Sequence, residues 1–267
     1  MADTPTFETL LYDVSNGVAH ITLNRPEAAN GINAQLGRDL RDVAIAVDED
    51  RSVRAVLLSA TGKLFCAGGD LKSFATLGDG IGAALKGLTT DLHAAQSRFM
   101  RMRAPLVVAI QGAAAGAGFP LSMIGDIVLA STNASFTMAY TAAGLSPDGG
   151  STFIISRLIG MRRMQEITLL NRRLSAAEAL DWGLVTKVVE PDALMAEASA
   201  IAAQLAAGPT EAFASARRLM LTAIGSSLEE QMEIEAREIA ANAMGADGRE
   251  GIAAFVGKRA ADYKGHH

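Results

Sequence analysis

The most apolar stretch of the chain, Leu106 to Ala130, is broken by Gln111, Pro120, Asp126 and several glycines. A membrane span needs about 20 uninterrupted apolar residues, so the stretch divides instead into shorter elements. Leu106–Ile110 reads as a buried strand, the small-residue run Gly112–Gly118 opens into a helix, and Asp126–Ala130 is a second strand. Strand, glycine-bearing loop, helix and strand in succession are the construction of an α/β fold.

The flanking sequence extends that pattern. Phe7–Val14 and Val18–Asn24 enclose Ser15-Asn16-Gly17, and Asn-Gly between two apolar runs predicts a hairpin. Asn33 is placed to cap a helix through Asp48, with Leu36, Leu40, Val43 and Val47 on one face. Val53–Ala60 reads as a strand, and a helix over Ile81–Met102 ends before Ala104-Pro105. Ser135–Met138 is a further strand, and Gly144–Gly150 is a loop by composition. From Pro191 onward helical periodicity dominates. We therefore expect an α/β core over residues 1–195 and a helical region over 196–267. With 26 glycines and only 5% aromatic residues, the core is expected to be aliphatic and alanine-rich.

The net charge of −5 offers no electrostatic footprint for nucleic acid or an anionic membrane. The single cysteine, Cys66, cannot build a disulfide framework, which fits a reducing, cytoplasmic setting. Of four histidines two are the terminal pair His266-His267, too few ligands for a zinc or iron site, so no metal is expected. Met1-Ala2-Asp3-Thr4-Pro5 lacks the basic and apolar segments of a signal peptide.

Three glycine-bearing loops each enter an expected helix. Two are Phe65-Cys66-Ala67-Gly68-Gly69-Asp70-Leu71 and the run from Gln111 to Phe119. Backbone N–H groups at a helix start lack intrahelical partners and carry partial positive charge. Two such loops facing one another can hold a developing oxyanion; singly, each reads as a tight turn. A dinucleotide fingerprint is excluded, since Leu121 stands where its third glycine belongs and no acidic residue follows at the required distance.

These loops, with Leu23–Glu27, Pro105–Phe119, Gly144–Gly150, Asp181–Val185 and Gly251–Arg259, resemble the crotonase, or enoyl-CoA hydratase/isomerase, superfamily over nearly the whole length. The resemblance implies a spiral of ββα turns, a C-terminal helical trimerisation region, and a homotrimer or dimer of trimers. It also implies an acyl-CoA substrate in fatty-acid metabolism and no cofactor beyond the CoA moiety of that substrate. Gly69 and Ala117 become the backbone donors to the thioester oxygen, Ala117 standing where glycine is more usual. Arg25, Ala28, Ala67, Gly68, Asp70, Leu71 and Tyr140 become substrate-binding residues, with Phe255 and Lys258 reaching CoA from a neighbouring subunit. By their residues alone, Asp70 reads as a helix cap and Phe255 as a core residue.

The sequence departs from this family at the two glutamates that its hydratases use. Pro120 and Tyr140 stand in their places, and neither is a base at neutral pH, so hydration has no evident mechanism. Asp148, in Ser146-Pro147-Asp148-Gly149-Gly150, reads by itself as turn chemistry or a cap for the next helix. In double-bond isomerases of the family a carboxylate at this position is the single acid–base group, and Phe119, Phe136, Met138 and Tyr140 are candidates for its apolar wall. In the 4-chlorobenzoyl-CoA dehalogenase branch the same aspartate is a nucleophile, and a histidine at the position of His93 activates water. By its residues His93 is a surface or packing residue. The expectation is an isomerase-like enzyme, with dehalogenase-like hydrolysis or a non-catalytic CoA-ester-binding trimer as alternatives.

Overall fold

The computed structural model describes residues 5–263. The expectation drawn from Met1–Pro5 that no signal peptide is present falls almost wholly outside them, as does the pair His266-His267. Strands β1 (Leu10–Ser15) and β2 (Val18–Leu23) form the expected hairpin, with Ser15 opposite Val18. Asn16 and Gly17 have φ of +52° and +78°, the double left-handed conformation that Asn-Gly adopts at least cost. Phe7 lies outside the strand. Helix α1 (Ala34–Glu49) starts where the Asn33 side chain accepts the Leu36 N–H at 2.9 Å. Its buried face includes Leu36, Leu40, Val43 and Val47.

Strand β3 (Ala55–Ala60) begins two residues after the expected Val53, and a short α2 (Leu71–Ala75) follows the first glycine loop. Helix α3 (Ile81–Arg101) packs on α1, where Gly37 leaves room for Leu88. Strand β4 (Leu106–Ile110) has the expected bounds. The run Gly112–Gly118, expected to lead straight into a helix, first makes a short strand, β5 (Ala113–Ala115), before α4 (Gly118–Ser122). Next come β6 (Ile127–Ser131), β7 (Ser135–Thr137), α5 (Ser151–Ile159), α6 (Met161–Leu169), β8 (Leu174–Ser175), α7 (Ala176–Asp181) and β9 (Lys187–Val189). Four helices close the chain: α8 (Leu194–Ala206), α9 (Thr210–Thr222), α10 (Leu228–Met244) and α11 (Ala246–Val256).

The result is a mixed α/β fold with a helical C-terminal part. A six-stranded sheet runs β1-β2-β3-β4-β6-β9, antiparallel only at its β1–β2 edge, and a smaller sheet runs β5-β7-β8. Strands β3 and β4 are apolar almost throughout because both faces are covered. One face packs with α1 and α3 in the main core, and on the other Ala55, Leu57, Val107 and Ala109 meet Leu194, Ala198, Ala202 and Ala206 of α8. The division expected between residues 195 and 196 therefore falls inside a helix that packs on the sheet.

Helix α9 is tied to the core by buried Arg217. Its guanidinium donates to the carbonyls of Phe99, Met102 and Ala104 at the end of α3 and pairs with Asp126 at 2.8 Å. It thereby satisfies carbonyls that a helix C-terminus leaves without partners. Among the described residues no helix is long and apolar enough to cross a membrane.

Candidate active site

The first glycine loop lies between the chain at Ala29–Ile32 and strand β5. Ile32 N–H donates to the Gly68 carbonyl at 2.7 Å, and Asp70 N–H donates to the Ile32 carbonyl at 3.0 Å. On the other side Ala115 N–H donates to the Cys66 carbonyl at 2.9 Å. In such a ladder successive N–H groups point in opposite directions. With Gly68 and Asp70 both turned toward Ile32, the Gly69 N–H faces away from it. The second loop continues the β5–β7 ladder as far as Gly116, whose N–H donates to Thr137. The next N–H, that of Ala117, stands at the start of α4, where it has no intrahelical acceptor. Neither Gly69 nor Ala117 N–H has a protein acceptor among the described residues.

The two loops touch through glycine backbones. Gly68 has φ +99° and Gly116 φ +50°, and a Cβ on Gly68 would fall 2.8 Å from the Ala115 carbonyl oxygen and 3.2 Å from Gly116 Cα. Gly68→Ala is accordingly expected to cost about 2 kcal/mol or more, from left-handed strain plus overpacking. A lower Tm together with slower turnover would show that this contact sets the spacing of the two donors.

Between the loops lies a cavity of about 290 Å³. Gly69, Ala117, Tyr140 and Asp148 line it together, and Asp148 is the only carboxylate among its described lining residues. The cap reading of Asp148 is not realised, since Gly150 holds the N-cap position of α5 with no side-chain cap and only the Asp148 carbonyl accepts the Ser151 N–H. The carboxylate instead accepts the Tyr140 hydroxyl at Oδ1, 2.6 Å away. Burial, then the charge of Asp148, pushes the Tyr140 phenol well above its ordinary range, so it stays protonated and donates.

His93 stands 4.0 Å from the other oxygen, Oδ2, and its Nε2 accepts the Gly149 N–H at 3.0 Å. The imidazole thus holds the loop that carries Asp148. Pro120 supports the same loop, because a Cβ added to Gly149, at φ +61°, would fall 3.0 Å from the proline ring.

The apolar wall differs from the expected one. Phe119, Phe136 and Met138 are fully buried and do not line the cavity; Phe119 and Phe136 stack on each other at 5.3 Å, on the core side of α4 and β7. The wall is built instead by Ile32, Phe74, Leu85, Leu88, Leu92 and Leu145. Most of these come from α2 and α3, and the only sequence sign of them was the apolar face of the helix over Ile81–Met102. Lys86 and Thr89, on the same helix, also reach the cavity and were not anticipated.

Of the other expected binding residues, Ala67 and Leu71 line the cavity, whereas Arg25, Ala28, Gly68, Asp70, Phe255 and Lys258 do not. Arg25 pairs with Asp70 at 3.2 Å and donates to the Gly31 carbonyl. Asp70 caps α2 by accepting the Ser73 N–H at 3.2 Å. Burial opposes its charge, but the Ser73 bonds and Arg25 outweigh it and hold the carboxyl below the usual range. Phe255 is not a core residue: on α11 it is 86% exposed. Cys66 is fully buried, its thiol pushed up to about 12 by desolvation, and its Sγ donates to the Asn30 carbonyl. It takes part in packing.

Residues 13–266 match the enoyl-CoA hydratase/isomerase family. The chain is 34% identical over 260 residues to 1,2-epoxyphenylacetyl-CoA isomerase of Escherichia coli strain K12, covering 97% of this chain and 99% of that protein. It is 29% identical over 261 residues to trans-2-decenoyl-acyl-carrier-protein isomerase of Streptococcus mutans, covering 97% and 99%. The crystal structure of an enoyl-CoA hydratase from Polaromonas sp. JS666 matches with a TM-score of 0.89 at 32% identity, covering 96% of this chain and 99% of that one.

Proposed function

We infer that the chain, which belongs to the enoyl-CoA hydratase/isomerase family, moves a double bond within an acyl-CoA thioester. Asp148 is its one acid–base group, and the Gly69 and Ala117 N–H groups hold the thioester oxygen. The observation that carries this reading is that, among the described residues, one carboxylate lines the cavity beside two backbone N–H groups without protein acceptors.

The chemistry follows from those groups. Asp148 removes the C2 proton of a 3-enoyl thioester, and the electron pair passes through the carbonyl to give a dienolate whose oxygen the two N–H groups stabilise. The same carboxyl then protonates C4, leaving the 2-enoyl product. Hydration would need a second acid–base group to place water. The family positions for it hold Pro120, which has no exchangeable proton, and Tyr140, which burial keeps protonated. The relative named trans-2-decenoyl-acyl-carrier-protein isomerase is in keeping with this reading.

CoA itself is assigned to Arg25–Ala28 and Ala67–Leu71, two segments that the Arg25–Asp70 ion pair ties together. Phe255 and Lys258 are assigned to the CoA of a neighbouring copy in a trimer or dimer of trimers. Exposed Met220, Leu228, Met232, Ile239 and Ile252 on α9–α11 support contact between copies there.

The test is proton exchange in deuterated water over a panel of saturated, 3-enoyl and aryl acyl-CoAs. Conversion of 3-enoyl to 2-enoyl substrates, or exchange at C2 of the saturated ones, is the expected result. Thioester binding without any exchange would overturn the assignment in favour of a binding protein. Halide release from 4-halobenzoyl-CoA would overturn it in favour of attack by Asp148. The structure weighs against that second route, because the nitrogen that His93 turns toward Asp148 already accepts the Gly149 N–H.

A further inference from the structure

The carboxylate of Asp148 is held unequally. Oδ1 accepts the Tyr140 hydroxyl at 2.6 Å, whereas Oδ2 has no hydrogen-bond partner among the described residues, His93 Nε2 being 4.0 Å away and engaged with Gly149. We propose that Tyr140 is a positioning residue that makes Asp148 a one-oxygen base, so that the proton taken from C2 is returned to C4 before solvent replaces it. The proposal rests on the isomerase reading above.

The backbone aims the phenol at this task. Tyr140 N–H donates to the Met138 carbonyl at 2.7 Å, closing a three-residue turn around Ala139 at φ +58°. A turn of this hand is rare and strained, and Ala139 has a Cβ that a glycine would spare. Strain of this kind persists only where the surroundings over-determine it, and it concentrates at functional sites. Ala139 and Tyr140 both line the cavity, and Tyr140 is only 8% exposed. From the opposite side, Gly149 and Gly150, at φ +61° and +68°, with the bond to His93, fix the loop that carries Asp148.

In the transfer Oδ2 takes the C2 proton while the C–H electron pair enters the dienolate. The same Oδ2–H bond then breaks toward C4, the dienolate supplies the pair for the new C–H bond, and the carboxylate is restored. Tyr140 keeps its proton throughout. Its hydrogen bond prevents the carboxyl from rotating, so the acid proton stays directed at the substrate instead of meeting water.

The experiment follows 3-enoyl-CoA deuterated at C2, in ordinary water, and measures the fraction of 2-enoyl product that carries deuterium at C4. The wild type is expected to retain most of the label. Tyr140→Phe is expected to lower retention at least threefold and kcat about tenfold, with KM within twofold. A merely structural tyrosine would move stability and leave retention alone. Where Y140F does not fold, Ala139→Gly carries the same test, since it frees the turn without removing a polar group. Lower retention at an undiminished Tm supports the proposal. Wild-type retention in a folded Y140F or A139G protein overturns the proposal while leaving the isomerase reading intact. A wild type that neither isomerises the substrate nor exchanges C2 defeats that reading itself.

Discussion

Asp148→Asn is expected to slow conversion of 3-enoyl-CoA to 2-enoyl-CoA by about 10³-fold or more, the upper range for removing a general acid–base group. The substitution suits the question because asparagine keeps an Oδ1 acceptor for the Tyr140 hydroxyl, which now donates at 2.6 Å. The loop from Gly144 to Gly150 should therefore keep its shape, and Tm should stay within a few degrees of the wild type. No other carboxylate lines the cavity among its described residues, and the His93 nitrogen nearest Asp148 already accepts the Gly149 N–H, so neither stands ready as a replacement base. Steady-state turnover, with thermal melts of the same samples, checks the prediction. Undiminished turnover in a folded Asp148→Asn protein would remove Asp148 from the mechanism.

How far such a site can be read from sequence depends on how local its determinants are. The hairpin at Asn16-Gly17 and the cap at Asn33 were legible because a few adjacent residues fix each of them. Strand β4 was legible because burial on both faces leaves an unbroken apolar run. Strands β5, β8 and β9 are two or three residues long and exist only through pairing with distant partners, so no period marks them. The same limit acts on the site. Gly69, Ala117 and Asp148 could be placed through their motifs, but the cavity wall could not. Phe119, Phe136 and Met138 are near the candidate residues in sequence, yet they turn into the core, and α3 supplies the wall from about sixty residues upstream of Asp148. The partner of Asp148 shows the limit most sharply. Tyr140 could be read as the loss of a glutamate, but its hydroxyl bond to Oδ1 depends on a left-handed Ala139 that no propensity predicts.

The second large effect concerns the oxyanion donors, which are backbone groups that ordinary side-chain substitution leaves intact. Ala117→Pro removes one of them. The backbone tolerates the change: Ala117 has φ −62°, close to the value a proline ring imposes, and it stands at the start of α4, where proline is accepted. Gly116 before it, at φ +50°, has no Cβ to meet the proline ring, and the Ala117 carbonyl remains free to accept the Leu121 N–H. Loss of the donor is expected to reduce kcat by about 10²- to 10³-fold, or about 3–4 kcal/mol of barrier. Ala117→Gly keeps the N–H and should stay within a few-fold of wild type, which separates the donor from the side chain. The two machineries also act in series on one intermediate, since without Asp148 no enolate forms for the N–H groups to hold. The double variant A117P/D148N is therefore expected to be scarcely slower than D148N alone. Losses that simply multiplied would show that the base and the donors lower the barrier independently and not as one unit.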